Sequence, residues 1–148
     1  MMGIERVMLQ NWASTSERLD RLNRTLREYQ EKLEEARDLT GVSYDGMPHG
    51  TGISNPTERK AMMALHIDET YKLVFTDLLR SIYEAMENKR RVDKVLQNLP
   101  PICERICWWR YGKGLKWWQV AEECGISEEY AKHLHTAILR LIREEMTR

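Results

Sequence analysis

Several residue types that would place a chain in a familiar class are scarce or evenly balanced here. Cysteine occurs three times, an odd number, which argues against a disulfide scaffold and for a reducing, cytoplasmic setting. Phenylalanine occurs once and proline four times, and no stretch alternates apolar and polar residues for long, so β-structure has little support. Net charge is absent too. The 23 Lys and Arg are matched by 23 Asp and Glu, so no global field draws the protein toward nucleic acid. The apolar runs fall far short of the roughly 20 residues that span a bilayer, so no membrane association is expected. The opening Met1-Met2-Gly3-Ile4-Glu5-Arg6 lacks the apolar core of a signal peptide. The expectation is an all-α, soluble, intracellular protein.

What is abundant is helical periodicity. Ile4 to Trp12 predicts a short helix, and Ser14-Thr15-Ser16-Glu17 has the spacing of a capping box opening a second one. Leu19, Leu22, Leu26, Tyr29, Leu33 and Ala36 then step by three and four, as in a coiled-coil seam, toward an end near Leu39 with Gly41 as the stop. Residues 41–55, with four glycines and one proline, predict a loop. Asn55-Pro56-Thr57-Glu58 supplies a cap, a proline at the first helical position and an early acid. The seam continues through Ala64, Ile67, Tyr71, Val74, Leu78, Ile82, Ala85, Val92 and Val95. A helix from Pro56 to about Asn98 would be on the order of 60 Å long and could not cover its stripe alone. It predicts an antiparallel hairpin that also pairs with a second subunit, most simply as a homodimer. Leu99-Pro100-Pro101 breaks the helix and sets the expected boundary between a hairpin, 1–98, that oligomerises and a second domain, 99–148.

That second domain carries the functional signal. Ile102 to Tyr111 predicts a helix, Gly112-Lys113-Gly114 a turn, Leu115 to Cys124 a short helix and Ser127 to Met146 a long one. A glycine stop, one apolar residue and a serine cap between two helices is how a helix-turn-helix is built. In the last helix Ala131, Leu134, Ile138, Leu141 and Ile142 form the apolar stripe, and Glu129, Lys132, His133, Thr136, Arg140 and Arg143 the opposite one. As a recognition helix its early residues would reach base edges of double-stranded DNA and its later arginines phosphates. Lys113 and Lys116 are placed to hold one backbone strand. Trp117, Ser127 and Tyr130 complete the candidate interface. The domain is only slightly basic, with eight basic against seven acidic residues over 98–148, so any nucleic-acid reading rests on local placement of charge. The competing reading is a three-helix packing unit whose polar stripe faces water.

The pattern Arg110-Tyr111, Gly114, Leu115, Gln119-Val120-Ala121, Cys124-Gly125-Ile126-Ser127, followed by Ala131 and Leu134, resembles region 4 of sigma-70-like factors. The match covers about a third of the chain. It departs at Lys116, where that family has a capping Ser or Thr, and at Gln119, where it has Glu. The whole-chain layout resembles phage late-gene regulators of the ArpU and RinA type, on the stretch Tyr44-Asp45-Gly46-Met47-Pro48-His49-Gly50-Thr51-Gly52 and Asn55-Pro56-Thr57. The resemblance implies a small phage- or prophage-encoded activator that binds DNA and acts on packaging or lysis genes. The alternatives are a small DNA-recognition subunit of a packaging terminase, which also joins a helix-turn-helix to oligomerising helices, and a helix-turn-helix used only for protein contact, for example with host RNA polymerase.

Other features have plainer readings. Cys103 and Cys107 lie one helical turn apart, with Cys124, His133 and His135 in the same domain, a spacing two zinc ligands could use. Both cysteines also fall on the stripe of Ile102, Ile106 and Tyr111, where free cysteine acts as a small buried hydrophobe, so no metal or other cofactor is expected. Trp108-Trp109 and Trp117-Trp118 could stack on single-stranded bases, but one of each pair in the core and one over the turn is the simpler assignment. The glycine-rich loop lacks the Gly-Lys-Ser/Thr ending of a phosphate-binding loop. No nucleophile, base and orienting group come together in the sequence, and an enzyme is not expected.

Overall fold

The structure, a computed structural model, describes residues 3–40 and 55–148, and for 39, 40, 55–57, 60, 61 and 63–65 the backbone alone. The glycine-rich stretch and the cap expected from the Asn55 side chain therefore lie outside what is described. Among the described residues there is no strand. The helices are α1 (Ile4–Ala13), α2 (Thr15–Thr40), α3 (Asn55–Gln97), α4 (Pro101–Cys107), α5 (Trp117–Cys124) and α6 (Glu128–Met146). A widened π turn, Trp108–Gly112, follows α4 directly.

Packing gathers Met1–Leu19 with Tyr83–Arg148 into one compact unit and Asp20–Ile82 into another. The Pro100-Pro101 break, where a boundary between domains was expected, lies inside the first unit. The reason is that α1 and the end of α3 put apolar residues into the same core as α4 and α6. On α1, Glu5, Met8, Leu9 and Trp12 form one buried stripe at i, i+3, i+4, i+7. Leu9 is wholly buried in a cluster with Val92 of α3, Cys103 and Cys107 of α4, and Ile138 and Ile142 of α6. Complete burial of one such side chain stabilises by about 1.5–3 kcal/mol. Polar ties fix the register. The Trp12 indole N–H donates to Asp93 at 2.8 Å, Asn88 donates to the Met8 carbonyl at 3.0 Å, and Arg143 meets Glu5 at 2.7 Å.

The capping box expected at Ser14 does not form. The Ser14 hydroxyl donates backward to the Gln10 carbonyl at 3.0 Å, and the buried Thr15 hydroxyl lies 2.7 Å from the Asn11 carbonyl and 3.0 Å from that of Trp12. The last turn of α1 needs donors for its unpaired carbonyls, and with no glycine to end the helix these two hydroxyls supply them.

In the second unit α2 and α3 face each other in opposite senses. Tyr29 meets Tyr71 edge-on at 5.9 Å, and Arg37, further along α2, pairs with Asp68, earlier on α3, at 2.9 Å. The seam residues Leu22, Leu26, Tyr29, Leu33, Ile67, Tyr71, Val74 and Leu78 are all half-buried. No described residue of this unit is fully buried, and Leu73 is 70% exposed.

A tight turn joins α5 to α6. Gly125 ends α5 in the left-handed region (φ 67, ψ 35), its N–H donating to the Glu122 carbonyl and that of Ile126 to the Ala121 carbonyl. This pair of bonds satisfies orphan carbonyls at the helix end, while Ile126 packs on the cluster of Ile106, Val120 and Cys124. Ser127 then caps α6, its Oγ accepting from the Tyr130 N–H at 3.1 Å. A Cβ on Gly125 would meet nothing within 4 Å, so its replacement isolates the backbone cost. Gly125→Ala and Ser127→Ala are each expected to lose about 1 kcal/mol in urea unfolding, and a change under a few tenths at either position would contradict the turn.

Candidate nucleic-acid interface

The spacing that sorted α6 into two stripes sets the orientation of its side chains. Ala131, Ile138 and Ile142 are buried and Leu134 and Leu141 half-buried, while Glu129, Tyr130, Lys132, His133, Thr136 and Arg140 are exposed along the other side. Their chemical availability differs. Lys132 pairs with Glu128 at 3.2 Å, and the Thr136 hydroxyl donates to the Lys132 carbonyl. Arg143 reaches back to Glu5. His133 and Arg140 have no hydrogen bond or ion pair among the described residues. Ser127 is occupied by its cap.

Ahead of α5, Lys113 and Lys116 are both exposed, and the Lys113 ammonium lies 5.6 Å from the Trp108 ring. Lys116 stands where α5 needs a cap acceptor, which an ammonium cannot be. Only the reciprocal half of a capping box is made, with Gln119 Oε1 accepting the Lys116 N–H at 3.0 Å. Gln119 thus supplies one of the two bonds of a capping box, and the bond that a cap Ser or Thr would accept is missing. The basic positions late in α3 all reach acids, since Lys89 pairs with Asp93, Arg90 and Arg91 share Glu87, and Lys94 pairs with Glu145. Lys113, Lys116 and Arg140 have no carboxylate partner among the described residues.

The tryptophan pairs divide as their chemistry suggests. Trp109 and Trp117 pack on the Ile106–Val120 cluster, and Trp108 and Trp118 are exposed. Trp117 is not free to stack on a ligand, because Arg110 lies 4.8 Å from its ring and His135 meets it edge-on at 4.7 Å. The three cysteines are free and buried, and burial pushes the Cys107 thiol up to about 12. No three His, Cys, Asp or Glu side chains converge among the described residues.

A cavity of about 270 Å³ that the sequence reasoning missed opens beside Trp117, lined by Arg6, Gln10, Arg110, Tyr111, Gly114, Trp117 and His135. The π turn helps build it. Its wider spacing, with Lys113 N–H bonding to the Trp108 carbonyl and Leu115 N–H to that of Trp109, lets consecutive Arg110 and Tyr111 both line the cavity. Gly112 permits the close approach, since a Cβ there would sit 2.8 Å from the Trp108 ring. Arg110 is braced by donating to the Leu115 carbonyl at 2.8 Å. Sequence signals did exist: an acid within the apolar stripe of α1, and a histidine one position from the apolar stripe of α6. Neither shows which groups would meet them.

His135 is buried, and desolvation, then Arg6 and Arg110, lower its pKa from 6.5 to about 4. Burial raises Tyr111 to about 12, so its hydroxyl keeps the proton, and it shares a hydrogen bond of 2.5 Å with His135 Nε2. Glu5 is held below the usual carboxylate range by its own backbone N–H and then by Arg143. Comparisons of the chain with family models, curated proteins and solved structures found no match.

Because the folded state holds His135 neutral, the unfolded chain binds one more proton between pH 6.5 and 4. Stability contributed by this site is complete above 6.5 and falls as pH drops through that window. The loss, allowing for solvent screening, is expected to be on the order of 2 kcal/mol. Glu5 adds its own loss only at lower pH. Urea unfolding between pH 7 and 4.5 should show the slope in the native protein and a flatter line in His135→Gln; equal slopes would refute the assignment.

Proposed function

We propose that this chain is a DNA-binding transcriptional regulator that lays α6 in the major groove of duplex DNA. The observation that carries the reading is the exposed polar stripe of α6, which begins directly behind the Gly125–Ser127 turn and is backed by a buried apolar stripe. In a helix-turn-helix the second helix reads bases and the start of the first holds the backbone. On this reading Lys132 and His133 face base edges, with Glu129, Tyr130 and Thr136 beside them, and Lys113, Lys116 and Arg140 hold phosphates. The resemblance to phage late-gene regulators adds the biological setting, a phage or prophage activator in a bacterial host, with RNA polymerase as a further partner. A near-neutral domain binds random DNA weakly, so paired half-sites on a dimer supply much of the affinity.

The test is a genome-wide map of bound DNA, followed by titration of the recovered duplex. Replacing Lys132 or His133 by Ala should cost about 1–3 kcal/mol at one operator position and relax specificity there. Arg140→Ala should weaken binding to all sequences alike and lower the salt slope by about one. Failure to bind any duplex at low salt would replace this reading with a protein-contact module.

The half-buried seam of α2 and α3 supports self-association as part of the same proposal. An apolar stripe left half in water gains about 25 cal/mol for each Å² that a second copy covers. Light scattering at micromolar concentration is expected to give a dimer. A ring of many subunits would favour the packaging-subunit alternative, and a monomer would remove the oligomer from the proposal.

A further inference from the structure

The cavity beside Trp117 is notable for its charge. Acids and bases balance over the chain, yet this cavity is lined by two guanidinium groups and no Asp or Glu. Arg6 has no hydrogen bond or ion pair among the described residues, although Glu5 beside it is taken by Arg143. Arg110 is fixed by the Leu115 carbonyl and the Trp117 ring, both neutral. Gln10 and the Gly114 backbone add polar groups at the margin. Trp117 brings the first turn of α5, the positive end of its dipole, to the same edge. At about 270 Å³ the space is at the bottom of the range for organic ligands, enough for a phosphate and the sugar that carries it but not for a dinucleotide.

We infer that this cavity is a phosphate seat, with Arg6 and Arg110 as its clamp. An oxyanion between them would satisfy the two unpaired guanidinium groups through charge-assisted hydrogen bonds. The source that suits its position is the DNA backbone, an assignment that rests on the reading above. Counting along α6, Lys132 and Thr136 of the exposed stripe stand three residues before and one after His135, so the seat adjoins the side proposed to face DNA. A free phosphate or phosphate monoester presents the same chemistry.

His135 reports on the seat. The groups facing it are Arg6 from α1 and Arg110 and Tyr111 from the π turn, with Trp117 at its edge. An anion that neutralises the two arginines removes part of what opposes protonation of the imidazole. The experiment follows the His135 ring resonances of the whole chain by NMR through a pH titration, with and without inorganic phosphate, and separately with duplex. Phosphate is expected to raise the His135 midpoint by about one unit in the native protein and not in Arg6→Gln, a substitution at an exposed side chain that should leave the fold intact. With duplex, Arg6→Gln is expected to weaken binding about tenfold and lower the salt slope by about one. If phosphate moves His135 but Arg6→Gln leaves duplex binding unchanged, the seat stands and its ligand is a free phosphate ester. If the chain binds no duplex while phosphate still moves His135, the DNA reading falls and the seat survives. If duplex binds through Lys132 and His133 while neither phosphate nor duplex moves His135, the seat is overturned and the DNA reading stands.

Discussion

Burial of the α1 stripe against α3, α4 and α6 is the constraint on which the first unit depends. Leu9 and Ile138 are both wholly buried, and Trp12 ties α1 to α3 through Asp93. α4 and α5 are too short to cover the apolar side of the 19-residue α6 by themselves. α1 covers the stretch that α4 and α5 do not. The same packing brings Arg6 to the side of His135, so the helix that completes the core also supplies half of the cationic clamp. Stability and the proposed chemistry meet on a ten-residue element.

Electrostatics in this protein are local. The basic positions of α3 near the first unit are answered by acids within a turn or by Glu145, which leaves little field at long range. Around α5 and α6, Lys113, Lys116 and Arg140 have no carboxylate partner among the described residues, and neither do the two arginines that line the cavity. On the proposed reading, such an arrangement suits a protein that ignores most polyanion surface and responds to a few phosphates in fixed positions. A uniformly basic domain would bind more tightly and discriminate less.

How much of this was legible in the sequence follows from the range of each interaction. The Gly125-Ile126-Ser127 turn was readable because its hydrogen bonds close within a few residues and depend on residue types with few substitutes. The α6 stripes were readable because helical periodicity is a property of one element. The role of α1 was not, because a short amphipathic helix carries no sign of its partner, and Asp93 lies 81 residues from Trp12. Ser14 has the spacing of a cap, yet the unpaired carbonyls of α1 draw its hydroxyl the other way. His135 reads as polar in any sequence; burial beside Tyr111 and two arginines, each from another element, makes it neutral. The π turn leaves the apolar pattern of α4 nearly unchanged and so leaves no mark in the sequence.

The separation in sequence between Leu9 and its partners on α6 also governs how the chain can be made. At elongation rates of about 5–20 residues per second, α1 is translated on the order of ten seconds before Ile138 exists. During that interval the Met8, Leu9 and Trp12 stripe has no α6 to cover it, and the emerging α3 offers only part of a lid. The fold closes late, and productive closure competes with premature association between nascent chains on neighbouring ribosomes. A helix that secures the finished molecule is therefore left longest without its partners while the molecule is being built.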